Sequence, residues 1–178
     1  MYLNICSDKI KLSGKSMETD SRLTKLLSSF ERYYTIETDN PTQPFNAEAF
    51  FNVHGEQYVL LKIAKIAEMD SKDYVYFKVE DNLDSDKLQN LAQTAWDAGI
   101  AKVVPYSGHR NSDVTLIILA CKIDDDTKKL IKKIKFYKSY KFSFWGWSHF
   151  RLVVKELSSN KIYFNRFGSD LKKVLINI

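Results

Sequence analysis

Three stretches of the chain carry apolar residues at the three- and four-residue spacing that is typical of a helix with one buried face. They begin after Asp20, after Asp84 or Ser85, and after Asp124, and an aspartate or serine at that position favours a helix N-terminus. The second helix is expected to end at Gly99, because glycine suits a left-handed C-terminal cap. The three apolar stripes are Leu23, Leu26, Leu27, Phe30 and Tyr34; Leu88, Leu91, Ala92, Ala95 and Trp96; and Leu130, Ile131, Ile134 and Tyr137.

Between the helices the pattern changes to that of strands. Residues 47–53, 56–67 and 74–80 predict an antiparallel meander, with a tight reversal at His54-Gly55. Residues 114–123 are apolar without alternation, which predicts a central strand buried on both faces. Further along, the pattern predicts a short extended segment at residues 101–106, a hairpin formed by residues 149–157 and 161–167, and a short helix after Gly168.

This order of elements predicts an α+β (mixed α/β) fold. Its largely antiparallel sheet would contain the central buried strand at residues 114–123, flanked by three main helices. We expect a single globular domain over residues 1–178, in which residues 1–19 form a loosely structured segment or an edge strand. A chain of this length buries roughly 70% of the surface that its unfolded form exposes, so no disulfide or metal is needed for a stable core.

Cysteine content and hydropathy indicate the compartment. The chain has two cysteines, Cys6 and Cys121, which are too few for a disulfide framework. Its N-terminus lacks the apolar run of a signal peptide, and the longest apolar run, residues 114–121, is too short to span a membrane. We therefore expect a cytoplasmic protein without a membrane partner.

Residues with catalytic potential are sparse. The three histidines show no metal-ligand spacing, and neither a phosphate-binding glycine loop nor a nucleophile elbow is present, so we expect no metal and no cofactor. Two short polar loops carry weak catalytic candidates, one with His54 and Glu56 and the other with His109 and Asp113. A structural explanation is favoured for both loops: a hairpin turn for the first and a solvated turn for the second.

The element order resembles that of the restriction-endonuclease-like core. Enzymes of that fold hold a divalent metal with an acid on one strand and an (Asp/Glu)-x-Lys motif on the next. By this analogy Glu48 is a candidate for the acid and Lys62 for the lysine, but Leu60 stands two residues before Lys62. On the following strand Tyr76 stands two residues before Lys78, so the resemblance is one of topology and the metal-binding signature is broken.

The most distinctive stretch is residues 124–150, where lysines interleave with aromatic residues. Residues 121–178 carry 14 Lys/Arg against five Asp/Glu, whereas the first 120 residues are net negative. Lysines supply phosphate contacts and aromatic rings stack on unpaired bases. The function that the sequence favours is therefore a non-catalytic binding module for nucleic acid or another polyanion; the alternative is that the lysines solvate the outer face of an amphipathic helix while the aromatic residues fill the core. Its candidate binding residues are Lys135, Lys138, Lys141, Trp145, Trp147, His149 and Arg151.

Two other functions stay open at this point. One is a divergent metal-dependent hydrolase or nuclease with restriction-endonuclease-like topology, which would use carboxylates such as Glu48 and Glu56. The other is a protein-interaction or self-assembly domain, in which the Trp145–Trp147 region contacts a protein partner or a second copy of the chain.

Overall fold

The computed structural model describes residues 20–51 and 71–178. Its mixture of helices and strands confirms the predicted α and β content at this coarse level. The predicted N-terminal segment 1–19 and the residues His54, Glu56 and Lys62 lie outside the described residues. The elements in chain order are α1 (residues 20–28), β1 (Tyr34–Glu37), β2 (Ala47–Phe51), β3 (Ser71–Leu83), α2 (Ser85–Ala101), β4 (Asn111–Ile123), α3 (Asp125–Lys133), β5 (Tyr137–Ser139), β6 (Trp147–Glu156), β7 (Lys161–Phe164), a 3₁₀ helix (Arg166–Leu171) and α4 (Lys172–Leu175).

The seven described strands form one mixed sheet in the order β1-β2-β3-β4-β6-β5, and β7 pairs with the second half of β6. The β3–β4 and β4–β6 pairs are parallel, and the other pairs are antiparallel. In the parallel part Asp73 is in register with Asp113, and Asp113 is in register with His149. Because residues in register share a face of the sheet, these three polar side chains form a row near the N-terminal ends of three strands.

Helices cover both faces of the sheet. On one face α2 and α3 pack on a core that includes Leu116 and Ile118. On the other face α1 and the C-terminal helices pack on a core that includes Ile117 and Leu119. Strand β4 therefore buries both of its faces, and this explains why its sequence is apolar without alternation. Within the described ranges, no helix is long and apolar enough to cross a membrane.

Helix α2 begins as predicted, because the Asp84 side chain accepts a hydrogen bond from the Lys87 backbone N–H at 2.8 Å. The prediction that Gly99 ends this helix is wrong, since α2 continues to Ala101. A Cβ atom at Gly99 would lie 2.5 Å from a Val114 methyl carbon. Gly99 is therefore needed for the close approach of α2 to β4. Of the extended segment predicted at residues 101–106, the first residue is helical, and the segment forms no strand before β4.

The third helix is shorter than predicted. Helix α3 ends at Lys133, and Ile134 already has an extended backbone. Residues 137–139 then pair antiparallel with β6, and the Phe136 ring packs 5.0 Å from that of Phe150. Sheet pairing and aromatic packing thus outweigh the helical spacing of Ile134 and Tyr137. The predicted final hairpin is confirmed by the antiparallel β6–β7 pair.

Candidate functional site

A cleft of about 320 Å³ lies beside the polar row on the sheet, on the face that also carries the 3₁₀ helix. Asp113 of β4 and His149 of β6 come from the row, and Arg151 lies two residues further along β6 on the same face. The 3₁₀ helix supplies the opposite wall. The lining residues are Asp113, His149, Arg151, Arg166, Phe167, Ser169 and Asp170.

Arg151 joins the sheet to the 3₁₀ helix. Its Nη2 atom pairs with Asp170 Oδ2 at 2.5 Å, and its Nε donates to the Phe167 carbonyl at 3.3 Å. Its Nη1 atom lies 3.5 Å from Asp73 Oδ2 and 3.8 Å from Asp113 Oδ2. Three carboxylates therefore surround one guanidinium whose side chain is only 13% exposed, which is the compensation that a buried cation requires.

The two carboxylates of the row differ in the hydrogen bonds that they accept. Asp73 accepts hydrogen bonds from the Tyr34 and Thr115 hydroxyls, each at 2.9 Å. Asp113 lies 3.9 Å from His149 Nδ1 and 3.8 Å from Arg151 Nη1, and both distances exceed a hydrogen bond. The Asn111 side chain donates a hydrogen bond to Asp113. Asp113 thus retains acceptor capacity toward the cleft.

Burial determines the protonation of the row. It raises the pKa of Asp113 to about 6, an effect that the charge of Arg151 partly offsets. The pKa of Asp73 is also raised by burial. The pKa of His149 is lowered by burial and by the positive charge of Lys135. At pH 7 Asp113 is therefore mainly ionised and His149 is mainly neutral.

His109 lies in a buried polar layer on the other face of the sheet. Its Nδ1 atom is 2.8 Å from the Trp145 carbonyl oxygen, which can only accept, so Nδ1 carries a hydrogen. In the neutral ring Nε2 then accepts from the Ser112 hydroxyl at 2.9 Å. The pair resembles a nucleophile and its base. Both residues are buried, however, so the pair is not accessible from solvent. It holds the loop before β4 against the loop before β6.

Glu48, the candidate acid of the nuclease analogy, is also buried. One of its oxygens accepts from the Thr42 backbone N–H at 3.2 Å, and the other pairs with Lys102 Nζ at 2.6 Å. Tyr76 stands opposite Glu48 on β3, and Lys78 donates to the Pro44 carbonyl. In the part of the chain that the structure describes, no group of three or more His, Cys, Asp or Glu side chains could hold a metal ion.

The turn between β5 and β6 has an unusual backbone. Lys141, Phe142 and Ser143 follow one another with φ values of 44°, 54° and 71°. Left-handed backbone costs a residue with a side chain roughly 1–2 kcal/mol, so three in succession need strong support. The support comes from the ends of the turn, where the Tyr140 hydroxyl bonds Ser148 and the Trp145 carbonyl bonds His109.

This strained turn displays aromatic side chains to solvent. Phe142 and Phe144 are 92% and 83% exposed, so packing of these rings does not explain the strain. Trp145 is half-buried and its ring centroid lies 3.4 Å below the Lys141 ammonium. Tyr137 and Trp147 are exposed beside the turn. We call the exposed lysines and rings the lysine–aromatic surface: Lys135, Tyr137, Lys138, Lys141, Phe142, Phe144 and Trp147.

The structure thus divides the predicted binding residues into three groups. Lys135, Lys138, Lys141 and Trp147 lie on the lysine–aromatic surface, and Trp145 supports its turn. His149 and Arg151 point into the cleft, where Arg151 is already paired with carboxylates.

Sequence reasoning missed two sets of residues. Phe142 and Phe144 were not among the candidate binding residues, and the left-handed turn displays both rings to solvent. Asp73, which lies beside Arg151, and Asp170, which lines the cleft, were not singled out. A signal existed, since Arg151 interrupts an apolar strand and a charge at such a position needs a buried partner.

Comparison with known proteins gives a family but no named relative. No curated protein and no solved structure matches the chain. Residues 18–177, which include every described element of the sheet, match a family of domains. The chain therefore belongs to the family described as Domain of unknown function (DUF8052).

Proposed function

We propose that the protein is a non-catalytic module that binds single-stranded nucleic acid through the lysine–aromatic surface. The observation that carries this proposal is the pair of exposed rings, Phe142 and Phe144, on a strained and well-supported turn. Strain of this kind persists only where the surrounding structure enforces it, and it is common at functional sites. Rings held in solvent offer flat faces to unpaired bases at little entropic cost.

The charges of the surface complement a phosphate backbone. Lys135, Lys138 and Lys141 are exposed, and the neighbouring Lys132 and Lys133 at the end of α3 are exposed as well. An ammonium group beside a stacking platform contacts the phosphate while the ring contacts the base. The expected ligand is therefore a single strand, since its bases are free to stack.

The electrostatic part is tested by removing charge. We expect Lys135→Gln, Lys138→Gln and Lys141→Gln together to weaken binding of a dT12 strand. The slope of log affinity against log salt should become shallower by about two, because each lost phosphate contact on a single strand contributes about 0.7. Fluorescence anisotropy of dT12, recorded at salt concentrations from about 50 to about 300 mM, measures both the affinity and the salt slope.

A matched control removes the same charge elsewhere. Lys122 and Lys161 are exposed at the opposite end of the sheet, and Lys173 is exposed on α4. Changing these three to Gln should leave the salt slope nearly unchanged. Equal effects of the two triple variants would mean that binding follows net charge alone, and the surface would then have no special role.

The stacking part is tested on the exposed rings. Phe142→Asn with Phe144→Ala should weaken dT12 binding by about 1–3 kcal/mol for each base that loses its stacking partner. The free energy of unfolding should hardly change, since both rings are exposed and asparagine tolerates the left-handed backbone at residue 142. Anisotropy and urea denaturation measure the two effects, and Ile176→Ala, another exposed apolar residue, is the control.

The same variant separates nucleic-acid binding from self-association. Sedimentation velocity of the free protein would detect a contact between copies through Phe142 and Phe144. A larger species that dissociates in the Phe142/Phe144 variant, with dT12 affinity unchanged, would overturn the proposal and assign the surface to protein contact.

A further inference from the structure

The cleft beside the lysine–aromatic surface contains an acceptor and a donor side by side. Asp113 receives a hydrogen bond from Asn111 and none from Arg151 or His149, at 3.8 and 3.9 Å. The Arg151 Nη1 atom makes only long ion pairs, because the short bonds of this guanidinium come from Nε and Nη2. Asp113 and Arg151 therefore both line the cleft, and each has a polar atom with bonding capacity left.

The charge and size of the cleft favour a small neutral ligand. Asp113 and Asp170 balance Arg151 and Arg166 in the lining, so neither a free anion nor a free cation is selected. Its volume of about 320 Å³ is at the lower end of ligand pockets, which span roughly 300–1,000 Å³. The His149 ring of β6 and the Phe167 ring of the 3₁₀ helix stack on each other with their centroids 4.3 Å apart, so the two walls of the cleft are in aromatic contact.

The cleft adjoins the lysine–aromatic surface through His149. Its ring centroid lies 5.3 Å from that of Tyr137 and 6.4 Å from that of Trp147, and both of those residues belong to the surface. The charge of Lys135 also acts on His149. A strand that follows the surface therefore passes the mouth of the cleft.

We infer that the cleft receives one guanine base of the bound strand, with the base's Watson–Crick edge on Asp113 and Arg151. Guanine presents two adjacent N–H donors and a carbonyl acceptor, which match the two carboxylate oxygens and Nη1. Adenine, cytosine and thymine each present only one donor group on that edge and leave a carboxylate oxygen unmatched. This inference rests on the proposed function, because the surface delivers the strand.

The test compares strands that differ in one base. A dT12 strand with one central guanine should bind at least about fivefold more tightly than dT12, in line with the discrimination of a bidentate contact. Adenine or cytosine at that position should give no such gain. Deoxyinosine, which lacks the exocyclic amino group, should lose most of the gain, whereas 7-deazaguanine, which keeps the whole edge, should retain it.

Asp113→Asn should abolish the guanine preference while leaving dT12 affinity unchanged, because the amide offers one acceptor instead of two. Asp86→Asn, an exposed change on α2, should leave the preference intact.

Equal binding of the guanine and adenine strands, or a preference that survives in Asp113→Asn, overturns the inference while dT12 binding still supports the proposed function. Loss of binding to every strand, dT12 included, overturns the proposed function itself. If Asp113→Asn fails to fold, the deoxyinosine comparison in the unaltered protein decides.

Discussion

Arg151 shows how a single buried charge determines what its neighbours can do. An unpaired guanidinium in this position would lose its hydration without replacement, and three carboxylates from different elements prevent that loss. Asp73 and Asp170 make the closer contacts, with Asp73 further held by two hydroxyls. Asp113 makes the loosest contact with Arg151, so it is the member of the cluster that a ligand can engage at least structural cost.

The raised pKa of Asp113 predicts a pH effect on stability. Between its unfolded pKa near 3.8 and its folded pKa of about 6, the folded protein holds a proton that the unfolded chain releases. Protonation therefore stabilises the fold as the pH falls, and the unaltered protein should gain about 1.4 kcal/mol relative to Asp113→Asn between pH 7.5 and 5, because pH 5 is one unit below the folded pKa. Urea denaturation of both proteins at the two pH values measures this difference.

The other charged groups that face Asp113 are present in both proteins, so their own titration largely cancels in the comparison. They are His149, Arg151, Asp73 and Asp170. The same pH change should also reduce the guanine preference, since protonated Asp113 keeps fewer acceptors. A stability difference that is constant between pH 7.5 and 5 would contradict the assigned burial of Asp113.

At the scale of elements, Asn165 connects three parts of the fold. Its Oδ1 atom accepts from the backbone N–H groups of Leu152 at 3.0 Å and Gly168 at 2.9 Å. Its Nδ2 atom donates to the carbonyls of Phe150 at 2.9 Å and Ile134 at 3.1 Å. One buried amide therefore joins β6, the start of the 3₁₀ helix and the segment after α3, and it holds the 3₁₀ helix against the cleft.

Removal of the Asn165 amide should destabilise the fold strongly. Asn165→Ala leaves buried backbone groups without partners, at a cost of roughly 1–3 kcal/mol each, so we expect a loss of about 3 kcal/mol or more. Asn165→Asp should also destabilise, because it turns an oxygen toward the two carbonyls. Urea denaturation measures the effect, with the exposed Asn177→Ala as control, and a loss below about 1 kcal/mol would show that water replaces the amide.

At the scale of the whole molecule, the sequence predicts elements better than it predicts where they end. The apolar faces of α1 and α2 and the unbroken apolar run of β4 follow from local spacing, and the structure buries them accordingly. The end of α3 does not follow from spacing, because its last turn is replaced by the pairing of Tyr137–Ser139 with β6. That competition is decided by contacts between distant residues.

The cleft is harder to predict from the sequence than the helices and strands are. Asp73, Asp113, Arg151 and Asp170 are spread over almost 100 residues, and only the parallel register and the docking of the 3₁₀ helix bring them together. The lysine-rich part of the surface is local in sequence, so its basic character could be predicted. The exposure of Phe142 and Phe144 could not, because alternating aromatics usually indicate a strand with one buried face.

The short strand β5 has a consequence for how the protein behaves at high concentration. It is the last strand on its side of the described sheet, and the unpaired backbone of such a strand can template the addition of another chain. Here the edge is only three residues long, a lysine stands at its centre, and the left-handed turn leaves it immediately afterwards. The turn that presents Phe142 and Phe144 to solvent thus also leaves too little straight backbone for another molecule to extend the sheet. This protects the edge from amyloid-like stacking, despite the exposed rings beside it.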